Sequence, residues 1–80
     1  MLNCILIAGM LYLERDGALY NFHHVTKFSQ SRQLVYVDWG NISQRFRVPE
    51  EWQGGSVDQT LALCIESAEF KAQIAARASQ

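Results

Sequence analysis

The stretch LNCILIAGMLYL, residues 2–13, decides the fold, because an extended chain here is apolar on both of its sides. A strand points successive side chains to opposite sides. Ile5, Ile7, Leu11 and Leu13 then share one side, and Cys4, Leu6, Met10 and Tyr12 share the other. The rest of the chain offers one helical segment to cover a sheet. A straight run therefore leaves an apolar side that a second polypeptide must cover. The alternative is a shorter run that bends at Ala8-Gly9 and curls both halves around one core.

Turn signals set the strands that follow. Asp16-Gly17 lies between two alternating runs, and Gly40-Asn41 lies between Trp39 and Ile42. Both fit two-residue hairpin turns, which require positive φ. Ser29-Gln30-Ser31-Arg32 reads as a polar connection of ordinary hairpin length. The expectation is a four-stranded antiparallel meander over residues 2–15, 18–28, 33–39 and 42–48. In this register Leu13 faces Tyr20, Gly9 faces His24, Ile5 faces Phe28, Thr26 faces Val35, Val35 faces Phe46 and Val37 faces Gln44. All of these pairs fall on one inner side.

The C-terminal segment supplies cover for that side. Pro49 stops the last strand, and Gly54-Gly55 permit a reversal. Ser56-Val57-Asp58-Gln59 fits a capping box, with Ser56 as N-cap and Gln59 reaching back. Val57, Leu61, Cys64, Ile65, Ala68, Ala72 and Ala75 then form one stripe at helical spacing. Ser67 offers a second N-cap, so the segment is one helix or two split near Ser67. The fold class is α+β: a four-stranded antiparallel β-meander packed on one face by a C-terminal helix. Residues 1–80 form a single domain, with the meander at 2–48, a connection at 49–55 and the helical segment at 56–78.

Composition narrows the function classes. With 49% hydrophobic and 19% charged residues, the chain has enough apolar surface for a packed domain, which argues against disorder. The net charge of −1 gives no global attraction to polyanions. Cys4 and Cys64 stand far apart and outside any CxxC pair, which points to reduced thiols and a cytoplasmic location. The first apolar run is too short for a membrane-spanning helix, and charged Glu14, Arg15 and Asp16 follow it where a signal peptide would carry a cleavage site. No membrane association is expected.

The outer side of the meander would carry Leu6, Met10, Tyr12, Leu19, Val25, Leu34 and Tyr36 around His23. Leu63, Phe70 and Ile74 lie on the helix side opposite the main stripe. Contiguous exposed apolar residues on a small protein mark an interaction site. Leu6, Met10, Tyr12, His23, Val25, Leu34, Tyr36, Leu63, Phe70 and Ile74 are therefore the expected partner-binding residues, in a homodimer or against a larger protein. This is the reading of an accessory or inhibitory subunit.

Chemistry is sparse. His23 and His24 are adjacent, so on a strand they point apart and cannot jointly hold one metal. His24 would be a buried imidazole in the room left by Gly9, and protonation of His23 beside Met10 would weaken an apolar interface around pH 6. No GxSxG, HExxH or phosphate-cradling glycine loop occurs. Neither catalysis nor a cofactor or metal is expected. The rival reading is single-stranded nucleic-acid binding, with Lys27, Arg45 and Arg47 beside Tyr12 and Tyr36 on the outer side. Asp38 and Glu14 on that same side weigh against it, and a cation–π pair of Tyr36 with Arg45 would account for both residues within the sheet.

Overall fold

The computed structural model describes residues 1–78. In the first apolar run, Ala8 and Gly9 both adopt positive φ, 51° and 79°, and form a two-residue turn. The run is thus a hairpin of β1 (Cys4–Ile7) and β2 (Met10–Arg15). Asp16 and Gly17, at φ 52° and 84°, make the next turn into β3 (Ala18–Asn21). The chain then leaves the sheet in a short 3-10 turn, Phe22–His24, whose first free amide, that of His23, donates to the Asn21 side chain at 2.9 Å. After it come β4 (Lys27–Ser31), β5 (Leu34–Trp39) and β6 (Ile42–Arg47).

Two three-stranded antiparallel sheets result, in the orders β1-β2-β3 and β4-β5-β6. The α+β class holds, and the single four-stranded meander is corrected. Its second strand does not run from 18 to 28, because the 3-10 turn interrupts it. The pairs Leu13–Tyr20, Val35–Phe46 and Val37–Gln44 occur as expected. Gly9–His24 and Ile5–Phe28 do not, since Ile5 faces Tyr12 and Phe28 faces Val37. Val35 faces Gln30 in place of Thr26. The connection there is a two-residue turn at Arg32 and Gln33, with Arg32 at φ 58°, where a four-residue loop was expected.

The first hairpin changes which side chains look inward. In a straight strand Leu6 and Leu11 point to opposite sides, but the turn pairs them, and directly paired residues share a side. Cys4 likewise pairs with Leu13. Cys4, Leu6, Leu11, Leu13 and Tyr20 therefore look into the molecule, while Ile7 and Met10 stay exposed. Leu2, Cys4, Leu13, Val35, Val37, Phe46, Val48, Cys64 and Ala68 form the buried core, with Leu6, Phe22, Val25 and Phe28 packed around it.

Polar contacts and rings join the sheets. The Leu2 amide donates to the Arg47 carbonyl at 2.7 Å, next to the outer end of β6. Tyr20 stacks on Trp39 with ring centroids 4.8 Å apart, and Trp39 meets Phe46 edge-on at 6.4 Å. The Gln44 amide donates to the Tyr20 hydroxyl at 2.8 Å.

The helix α1 (Val57–Ala78) is continuous, so Ser67 starts no second helix. Its capping box forms as expected. The Gln59 amide donates to Ser56 Oγ at 3.2 Å, and the Ser56 amide donates to Gln59 Oε1 at 2.9 Å. The helix packs chiefly on β1 and buries Thr60, Cys64 and Ala68. Cys64 is joined to Cys4 by a disulfide, with Cα atoms 5.5 Å apart, a separation normal for such bridges. The expected free thiols are corrected: spacing along the chain cannot reveal that β1 and α1 meet. Lys71 adds a tether by donating to Asn3 Oδ1 and to the Cys4 carbonyl.

Candidate functional site

Three outward surfaces carry the residues singled out in the sequence. The first is the outer face of β1-β2-β3. Ile7 pairs with Met10, Ile5 with Tyr12, and Glu14 with Leu19, which places these side chains on one face. Ile7, Met10 and Leu19 are 45%, 44% and 48% exposed, whereas Ile5 and Tyr12 are partly buried. At the hairpin end, Met10 and His23 line a hollow of about 410 Å³ with Gly9 and Phe22. His23 thus stands beside Met10 as expected. His24 is exposed in the 3-10 turn, which corrects its expected burial against Gly9.

Four expected members of that outer side lie elsewhere, and two of them, Leu34 and Tyr36, belong to the other sheet. Leu6 and Val25 pack against the core, because the hairpin and the 3-10 turn reverse their direction relative to a straight strand. Ile5 and Ile7 take their place, beside Leu19, which stands on this face as expected. The bend at Ala8-Gly9, the alternative that the sequence offers to a straight run, is the one that occurs and it turns Ile5 and Ile7 outward; Ala-Gly lacks the Asn or Asp that would have made it the leading reading.

The second surface is the outer face of β4-β5-β6. Leu34 pairs with Arg47, Tyr36 with Arg45, and Asp38 with Lys27 and Ser43. An open groove of about 790 Å³ runs over Lys27, Ser29, Tyr36, Asp38, Ser43 and Arg45, with Arg15 at its side. Lys27, Tyr36, Arg45 and Arg47 are thereby brought to one sheet, while Tyr12 belongs to the other. Arg15 went unnoticed in the sequence. It sits at the end of β2, and its guanidinium lies 5.4 Å from the Phe46 ring centre and donates to the Arg45 carbonyl. Nothing in its spacing signals that cross-sheet contact.

The third surface lies on the helix. Phe70 and Ile74 are exposed and Leu63 is partly buried, on the side away from the core. Leu63 and Phe70 line a hollow of about 390 Å³ with Trp52, Glu66 and Glu69. The ten expected partner-binding residues are thus spread over separate surfaces, with Leu6 and Val25 packed on the core.

Electrostatics differ between the two sheets. On the first, the Asn3 amide donates to the Glu14 carboxylate at 3.1 Å and the Gly17 amide donates at 3.1 Å; together they hold the Glu14 pKa below its usual range. On the second, Asp38 accepts from Ser43 Oγ at 2.6 Å. Among the described residues the one ion pair is Arg15 with Asp16 at 3.9 Å, so Lys27, Arg45 and Arg47 have no carboxylate within that reach. Among the described residues no three His, Cys, Asp or Glu side chains gather as a metal site, and no helix is long and apolar enough to cross a membrane. In comparisons with known proteins, no family model, no curated protein and no solved structure matches the chain.

Proposed function

We propose that this protein is a small protein-binding module without chemistry of its own, self-associating through the outer face of β1-β2-β3 and serving as an accessory or inhibitory subunit. The observation that carries the reading is the cluster of Ile7, Met10 and Leu19, each nearly half exposed on one sheet face beside Tyr12 and Ile5. A single exposed apolar residue is ordinary; a contiguous group on a chain of this size is not.

Magnitudes limit how tight the association is. Full burial of a large apolar side chain contributes roughly 1.5–3 kcal/mol, so three half-exposed ones on each of two copies contribute roughly 5–9 kcal/mol. Association costs about 4–15 kcal/mol in lost freedom and ordering. The balance describes a weak, concentration-dependent pair, in keeping with a chain that buries its core unaided. Cyclic twofold dimers are the commonest assembly, and a face of this kind meets its own copy without new complementarity.

The cytoplasmic location expected from free thiols loses its premise with the Cys4–Cys64 bridge.

Sedimentation velocity from about 1 µM to about 1 mM spans the affinities this balance allows. The weight-average mass is expected to rise toward that of a dimer, and Met10→Glu is expected to hold the chain monomeric with an unchanged melting temperature. A wild-type chain that stays monomeric across the range would sink the proposal. Leu6→Glu is no substitute, because Leu6 packs on the core.

A further inference from the structure

Lys27, Tyr36, Arg45 and Arg47 form a group that association through the other sheet leaves unused. We propose that the outer face of β4-β5-β6 binds single-stranded nucleic acid, with Tyr36 stacking on a base and the three cations holding phosphates on either side. Three observations carry this beyond the presence of charge. First, Lys27, Arg45 and Arg47 stand on one sheet face, and no carboxylate lies within 4.0 Å of them among the described residues, so their charge is available to an outside anion. Second, the one cation–π contact among the described residues is Arg15 over Phe46. Arg45 therefore does not cover the Tyr36 ring, and the cation–π account of that pair fails. Tyr36 is 36% exposed beside the open groove. Third, charge is divided along the chain. Residues 1–48 hold five of the seven Lys and Arg, whereas residues 49–80 hold five of the eight Asp and Glu. The net charge of −1 conceals this division.

A sheet with an exposed ring between cations suits an unpaired strand, because every base has a π face and the phosphates repeat along the chain. A duplex keeps its bases stacked and offers Tyr36 nothing. An acidic peptide or a sulfated polysaccharide would use the cations and ignore the ring. Asp38 sits in the same groove opposite Lys27 and keeps its negative charge, with Ser43 donating to it, so the phosphates are expected on the Arg45 and Arg47 side of Tyr36 and near Lys27 only away from Asp38. With one ring and three cations, the dissociation constant is expected at about 1–100 µM near physiological salt, the range of sequence-independent binding, and lower in low salt.

The test is fluorescence anisotropy with a labelled oligothymidylate of about 20 nucleotides, longer than one site of this size requires. Three phosphate contacts on a single strand give a log–log salt slope of about −2, so raising salt fourfold should weaken binding about twentyfold. Arg45→Gln should reduce that slope by about 0.7. Tyr36→Leu should weaken oligothymidylate binding at least about fivefold and leave heparin binding unchanged, because stacking is lost while charge is kept. Met10→Glu, on the other sheet, should change neither, which keeps this outcome separate from self-association. The proposal is overturned by no binding at about 1 mM protein in low salt. It is equally overturned by a duplex that binds as tightly as the single strand, or by indifference to Tyr36→Leu, which would mark a plain polyanion contact.

Discussion

The two sheets are built alike, each from three antiparallel strands joined by two-residue turns, and they differ in what they turn outward. β1-β2-β3 shows Ile7, Met10 and Leu19; β4-β5-β6 shows Lys27, Tyr36, Arg45 and Arg47. They also differ in how they are held. The second sheet is a local meander, whereas the first is fastened to the far end of the chain through Cys4–Cys64 and Lys71–Asn3. One sheet is apolar on both faces and fastened covalently to the far end of the chain; the other has a polar outer face and is held by its own turns and by contacts such as Leu2–Arg47 and Tyr20–Trp39.

The largest expected effect breaks that anchoring. The bridge closes a loop across a sequence separation of 60. Closing a loop of that order contributes about 4 kcal/mol, so Cys64→Ser should lower the melting midpoint by roughly 15–30 °C. Hydrogen exchange in the variant should show protection falling first in β1 and β2, with β5 and β6 retaining more of theirs. Equal loss in both sheets would show that the two are one cooperative unit and that the contrast in anchoring has no energetic content.

A smaller effect compares the turns. Ala8 opens the first turn of one sheet at φ 51°, and Arg32 opens the first turn of the other at φ 58°. Neither residue favours that region, and Asn tolerates it better. Ala8→Asn and Arg32→Asn should each stabilise by about 0.5–1 kcal/mol, read as a rise of roughly 2–8 °C in the melting midpoint. A gain in one sheet alone would show that only the other turn is held in shape by its surroundings.

The smallest effect concerns acid. The folded pKa of Glu14 is depressed by Asn3 and then by Gly17, so its contribution is present above the ordinary glutamate value and lost as pH falls through the lower folded value. Glu14→Gln should therefore slightly lower stability near neutrality and flatten the decline on acidification. Melting curves between neutral and acidic pH that superimpose for the two proteins would refute it.

Much of the second sheet was legible in the sequence. Gly40-Asn41 marks its last turn, and the alternation of Val35, Val37 and Phe46 against Tyr36, Arg45 and Arg47 sets both register and faces, because one side must be buried and a slip of one residue would expose it. Tyr36, Arg45 and Arg47 were readable for the same reason, whereas Lys27 reached that face despite a misread register, because a slip by an even number of residues keeps the same side outward. Ser56 and Gln59 likewise announced the start of the helix by local hydrogen bonding alone. The first sheet was not legible in this way. When both faces of a run are apolar, burial gives no preference between a straight strand and a hairpin, and Ala8 carries no turn signal of its own.

The sequence by itself determined the α+β class, the Asp16-Gly17 and Gly40-Asn41 turns, the pairing of Val35 with Phe46 and the capped C-terminal helix. Each of these follows from contacts within a few residues or from alternation along one strand. Only the tertiary structure decided that Ala8-Gly9 folds the first run back, that Leu6 goes inward while Ile7 stays out, and that Cys4 meets Cys64. These depend on which distant surfaces come together, and nothing in the local chemistry of residues 2–13 or of the helix specifies that meeting.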